Sequence, residues 1–159
     1  MKFELDDVDH KILDLLIDNS RIPFTDIAKK LLISAGTVHV RVKKMEEFGI
    51  IKGASLALDY KKLGYTFIAY IGIFLEKTHL TNYVLEKLDS IPYATVAHIT
   101  TGRFNIFCKI RCRDTDHAKE IIFMIDDIEG VSRTETMISL EESINDKKRL
   151  MHKIFNEIK

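Results

Sequence analysis

The hydrophobic rhythm of this chain changes once, between Gly49 and Gly64, and one type of element cannot satisfy both rhythms. Before the change, apolar residues return every three or four positions. Val8, Ile12, Leu15 and Leu16 mark one helix, with Asp6 as its expected N-cap and Asp9 in the first turn, near the positive end of the helix dipole. Pro23 fits the opening of a second helix, TDIAKKLL, whose inner side is Ile27 and Leu31. Ser34 can cap a third, in which Val38, Val42 and Met45 share a face and Gly49 supplies the stop. Ile50, Ile51 and the alternating run ASLALDY then read as a short strand or hairpin.

After Gly64 the texture is β-branched and aromatic. YTFIAYIGIFL reads as a strand, and LTNYVLEKLDSI as a helix with Tyr83, Val84 and Leu88 on one side, ended by Pro92. ATVAHIT and FNIFCKIRC read as two strands joined by a tight turn at Gly102; DHAKEIIFMIDDI is a second helix and SRTETMISLEE a fourth strand. The order βαββαβ is that of a ferredoxin-like sandwich, with both helices on one face of an antiparallel sheet. The expected fold is therefore α+β: a winged helix-turn-helix over residues 1–60, a linker over 61–66, a ferredoxin-like domain over 67–142, and a basic amphipathic helix over 143–159. That last helix carries Ile144, Met151, Ile154, Phe155 and Ile158 on one stripe. Its stripe is expected to pack on the protein or a partner subunit rather than on DNA or membrane.

Composition removes several classes of function. No apolar run approaches the roughly 20 residues needed to cross a bilayer, and MKFELDDVDH lacks a signal pattern, so a soluble cytoplasmic protein is expected. Cys108 and Cys112 share one strand face, too far apart to bridge, and read as core residues. The six His residues fall in different elements, and no nucleophile, acid and base stand together; neither metal ligands nor catalytic residues are assigned.

A total of 24 Lys and Arg against 24 Asp and Glu argues against nucleic acid until it is resolved along the chain. Residues 1–26 carry three basic and seven acidic groups, whereas residues 27–53 carry six basic and two acidic ones. The basic excess falls on the third helix of a helix-turn-helix, the element that enters the major groove. Turning Val38, Val42 and Met45 inward places Gly36, Thr37, Val40, Lys43 and Lys44 outward, with Arg41 on the flank. Lys43 and Lys44 are assigned to phosphate. Thr37, Val40 and His39 are candidates for base contact, methyl groups suiting the thymine C5 position. Ser34 caps the helix, and Gly36 leaves room for the backbone. An ordinary solvated helix face would also carry such charges; the three-helix order and the charge segregation favour double-stranded DNA.

The blocks LDDVDHKILDLLIDNSR and IAKKLLISAGTVHVRVKKMEEFGIIKG, followed by HITTGRFN and VSRTETMISLEE, resemble the Lrp/AsnC family of transcription regulators from Leu5 to about Glu142. The resemblance implies a homodimer joined mainly through the sandwich sheets, assembly into octamers, and an amino-acid or related effector bound between dimers, with no other cofactor. The family's effector loop reads Gly, any residue, aromatic, Asp. Here those positions are Gly102, Arg103, Phe104 and Asn105, so a carboxylate for an α-ammonium group is missing. Arg103, if it faces the pocket, would favour an acidic ligand group. Ile99, Thr101, Thr136 and Ile138 are further lining candidates. The loop reads equally well as a plain hairpin turn in which Gly102 supplies a positive φ and Asn105 closes the turn. Leu32 stands where the family often has Gly, which suggests an ordinary backbone conformation there. The same two-domain body also occurs in sirohaem decarboxylases, which is the enzymatic alternative; an effector-independent assembly protein is a third.

Overall fold

The structure, a computed structural model, describes residues 4–146 and 148–157, without the side chains of 155–157. The described residues up to Ala57, together with those from Ile144 onward, form one compact unit; Leu58–Ser143 form the other.

Three helices make the first unit: α1 (Asp7–Asp18), α2 (Phe24–Leu31) and α3 (Ala35–Glu47). Helix α1 opens with a capping box. The Asp6 side chain accepts from the N–H groups of Val8 and Asp9, and the Asp9 side chain accepts in return from the Asp6 N–H. Helix α3 is capped by Ser34, whose Oγ accepts from the Thr37 N–H at 3.0 Å, and Gly49 follows it with φ 71°. Ile12, Ile27, Val38, Val42 and Met45 fill the centre of the unit. Each contributes about 1.5–3 kcal/mol over an exposed position, which is what holds three short helices together.

Two expectations fail in this unit. Leu32 is not in an ordinary conformation: it sits at φ 56°, ψ 42°, left-handed, as the C-cap of α2. Its N–H and that of Ile33 close the helix end on the carbonyls of Lys29 and Ala28, and its side chain stays exposed. The cap geometry that Gly serves at low cost is imposed here on a residue with a Cβ. The wing hairpin is also missing, since residues 52–59 form no strand. Alternation alone makes no ladder; ASLALDY has no neighbouring strand, and Leu56 and Leu58 remain exposed.

The chain returns to the first unit through α6 (Arg149–Glu157). Met151 packs on the three-helix core, Lys148 Nζ donates to Asp18 Oδ1 at 3.1 Å, and His152 Nδ1 lies 2.7 Å from Asp14 Oδ1. Ile158 lies outside the described residues, as does the side chain of Phe155.

In the second unit four antiparallel strands, β1 (Phe67–Leu75), β2 (Ala94–Ile99), β3 (Ile106–Cys112) and β4 (Val131–Ile138), lie in the order β2-β3-β1-β4. Helices α4 (Thr81–Asp89) and α5 (Thr115–Asp126) pack on one face. That face is aliphatic and closed. Ala69, Ile71 and Ile73 of β1 alternate with Tyr70, Gly72 and Phe74, and Ile106, Cys108, Ile110 and Cys112 of β3 join Val84, Leu88, Ile121 and Ile125 beneath the helices. Burial pushes both thiols up to about 11, Asp114 adding to the effect at Cys112, so both stay protonated at neutral pH and are poor nucleophiles. Among the described residues no helix is long and apolar enough to cross a membrane.

Candidate nucleic-acid interface and effector region

Helix α3 presents one stripe outward. Val38, Val42 and Met45 are buried, whereas Val40 is 64% exposed and Lys43, Lys44 and Glu47 are exposed around it. Lys43 lies 3.9 Å from Glu47, one helical turn on, a surface pair that leaves the ammonium available to a stronger anion. A Cβ on Gly36 would meet only Ser34 Oγ, at 3.7 Å, so the protein leaves space beside this position. The Thr37 and Ser34 hydroxyls are 2.8 Å apart.

Two of the assigned residues occupy the flanks. At 100° per residue His39 and Arg41 sit on opposite sides of Val40. The His39 ring lies 6.0 Å from Phe24 of α2, and Arg41 Nη1 donates to Asp6 Oδ2 at 2.7 Å and Asp9 Oδ1 at 2.8 Å on α1. These bonds, that to Asp9 foremost, raise the guanidinium above its ordinary pKa. Burial acts to push the Asp6 carboxyl up, but the Asp9 N–H, Arg41 and the Val8 N–H outweigh it and hold the carboxyl below its ordinary value. Beside this pair opens a cleft of about 610 Å³ lined by Glu4, Asp6, Asp9, Gly36, Thr37, Val40, Arg41 and Lys44.

The loop between β2 and β3 is not the tight turn expected. Gly102 has no positive φ, and the connection runs over residues 100–105. Thr100 closes it: its N–H donates to the Asn105 carbonyl and its hydroxyl to the Phe104 carbonyl. Asn105 fastens the loop to β1, donating its N–H to Ile73 O and accepting from the Leu75 N–H on Oδ1, both at 3.0 Å. Thr101, Gly102 and Arg103 are exposed.

The eight effector candidates do not converge within the single chain. Arg103 and Phe104 turn to the open sheet face, where Arg103 pairs with Glu135 of β4 and the Phe104 ring lies on Gly72. By register Thr136 and Ile138 stand opposite Ile71 and Ala69, on the helix-bearing face. Ile99 belongs to β2, the other sheet edge, three strand spacings or about 14 Å from β4.

The open face holds an aromatic row of which the sequence singled out only Phe104. Tyr70 stacks on Phe107 at 5.6 Å, Phe107 on Phe104 at 5.9 Å, and Phe104 meets Phe74 edge-on at 5.2 Å. Lys109 bonds Glu142 at 2.6 Å, and Arg133 lies over the Phe74 ring. A Cβ on Gly72 would come within 2.3 Å of the Phe104 ring, so only glycine admits this row. The signal was present: a glycine inside a strand marks close approach, and Tyr70, Gly72 and Phe74 share one side of the alternation.

Residues 5–52 match the winged helix-turn-helix DNA-binding family, and residues 68–148 match the Lrp/AsnC ligand binding domain. The regulatory protein AsnC of Escherichia coli (strain K12) is 38% identical over 141 residues, covering 88% of this chain and 93% of its own. The chain belongs to the Lrp/AsnC family. It is a transcriptional regulator of the Lrp/AsnC type, with a helix-turn-helix ahead of a four-stranded antiparallel domain. The HTH-type transcriptional regulator FL11 of Pyrococcus furiosus is 33% identical, covering 89% of this chain and 93% of its own. The solved structure of E. coli AsnC superimposes with a TM-score of 0.87 at 37% identity, covering 90% of this chain and 97% of that one. A Neisseria meningitidis regulator in complex with L-methionine shares the fold, with a TM-score of 0.85 at 18% identity over 91% of this chain and 95% of its own.

Proposed function

We propose that this Lrp/AsnC regulator reads double-stranded DNA with the outer stripe of α3, Gly36, Thr37, Val40, Lys43 and Lys44, and acts as a cytoplasmic, nucleoid-associated assembly rather than as an enzyme. The observation that carries this reading is the exposure of that stripe while Val38, Val42 and Met45 pin the helix from beneath. Lys43 and Lys44 neutralise phosphate, and Val40 and Thr37 offer methyl groups to base edges. Binding then weakens with salt at a log–log slope of about −0.9 per phosphate contact. Replacing both lysines with Ala should flatten the slope by about two in a fluorescence-anisotropy titration; an unchanged slope removes them from the contact set.

The partner for the open sheet face is a second copy of the chain. Four half-buried rings, with Val96 and Met137 exposed beside them, make a face suited to sheet-on-sheet packing. The cations and carboxylates at its rim suit a two-fold partner of the same composition. Such dimers would assemble into octamers.

An amino acid or related metabolite bound between dimers is the effector, by analogy with the methionine complex of the Neisseria fold relative. Asn105 alters what that ligand meets. Its Oδ1 already accepts from Leu75, so the side chain has its NH₂ donors to offer, which suit a carboxylate rather than an ammonium group. In a thermal-shift panel of the common amino acids, at least one should raise the melting midpoint of the full chain. Silence across the panel counts against an effector at Asn105.

A further inference from the structure

The α1 capping box does two things at once, and its four carboxylate oxygens divide the work evenly. Asp6 Oδ1 accepts the Val8 and Asp9 N–H groups while Asp6 Oδ2 accepts Arg41. Asp9 Oδ2 accepts the Asp6 N–H while Asp9 Oδ1 accepts Arg41. A single nitrogen, Nη1, serves both carboxylates, and the Asp9 side chain is only 6% exposed. The local motif that starts α1 is thereby bonded to the flank of α3, more than 30 residues away. On the other flank His39 lies against Phe24 of α2.

This arrangement is poorly suited to phosphate. The cleft around Arg41 gathers Glu4, Asp6 and Asp9 against Arg41 and Lys44, so a phosphate entering it meets excess negative charge. The geometry suits a strut. Base-edge recognition demands placement within about 0.5 Å and 10–20°, and a helix as short as α3 can roll on its apolar face unless its flanks are held.

We propose that Asp6 and Asp9 are positioning residues for DNA recognition, fixing the rotation of α3 about its own axis through Arg41 and so deciding which stripe meets the bases. The proposal rests on the reading that α3 enters the major groove. Arg41, a flanking DNA-binding candidate in the sequence, thereby acts through the placement of α3 and not on phosphate.

The test uses the full chain and two probes: a duplex enriched by the wild-type protein from a randomised pool, and a random-sequence duplex of equal length. Asp9→Asn and Arg41→Gln should each weaken binding to the enriched duplex by about tenfold. The random duplex should change little, because a rolled helix still carries Lys43 and Lys44. The salt slope should stay as in the wild type, and the double variant should be no worse than the poorer single, since the two residues act as one unit. Asp6→Asn keeps a capping oxygen and removes the charge, so it should show the same selective loss with α1 intact by circular dichroism. Equal losses on both duplexes would reduce the strut to general folding support and overturn the proposal. A slope flattened by about 0.9 in Arg41→Gln would make Arg41 a phosphate contact, and tighter binding by Asp9→Asn would make the carboxylates competitors of DNA; either overturns it. If the wild-type chain enriches no duplex, the DNA reading fails first and the proposal falls with it.

Discussion

The two outward surfaces of this protein are built on opposite principles. The stripe of α3 is polar and sparsely packed, its lysines solvated and its rigidity supplied from beneath and from the flanks. The open sheet face is packed within the chain itself, its rings stacked in a row and its cations laid over them. The first suits contacts that form and break with salt; the second suits contacts that exclude water. On the reading proposed above, a lasting assembly would carry heads that can leave DNA.

The contrast can be broken most severely at the sheet. Phe107→Asp places a carboxylate in the middle of the aromatic row and should raise the dimer dissociation constant about 100-fold or more, read by sedimentation at micromolar concentration. An undiminished dimer would mean that the face is not the interface. Gly72→Ala comes next. Its methyl must displace the Phe104 ring, at a cost of about 1–3 kcal/mol in urea unfolding, and combining it with Phe104→Ala should recover part of that loss. The Lys43 and Lys44 replacements should leave assembly and stability alone and change only the salt slope, which sharpens the distinction between the two faces.

The smallest effect is in acid. Because the folded-state pKa of Asp6 lies below its ordinary 3.8, its stabilising contribution is present above that value and is lost as pH falls through the folded value. Asp6→Asn should therefore lose less stability than the wild type as pH falls below 3.8. Parallel curves would show that the carboxylate is not responsible.

Periodicity and end signals made most of the fold legible. Asp6, Ser34 and Gly49 mark helix ends by local hydrogen bonds, and Val38, Val42 and Met45 by spacing, so three to four residues of context suffice. What stayed hidden depends on distant partners. Nothing near Arg41 announces that its ligands lie more than 30 positions away. Nothing near Arg103 says that it crosses Phe74 to reach Glu135. Leu32 misled for a related reason: propensity argues against a left-handed leucine, but closure of α2 on Ala28 and Lys29 overrides it. ASLALDY failed as a strand because alternation specifies a face and not a partner.

Helix α6 has a bearing on how the molecule comes into being. The ion pair between Asp18 and Lys148, the residue just ahead of α6, joins residues 130 positions apart, with the whole sandwich unit synthesised between them. On a ribosome, α1 to α3 emerge early and must hold together without this brace, while the sandwich follows. The DNA-binding unit thus starts to emerge before the sandwich unit and gains its last contacts after it. A newly made chain reaches its full grip on α1 only after the strands of its own sheet have all been made.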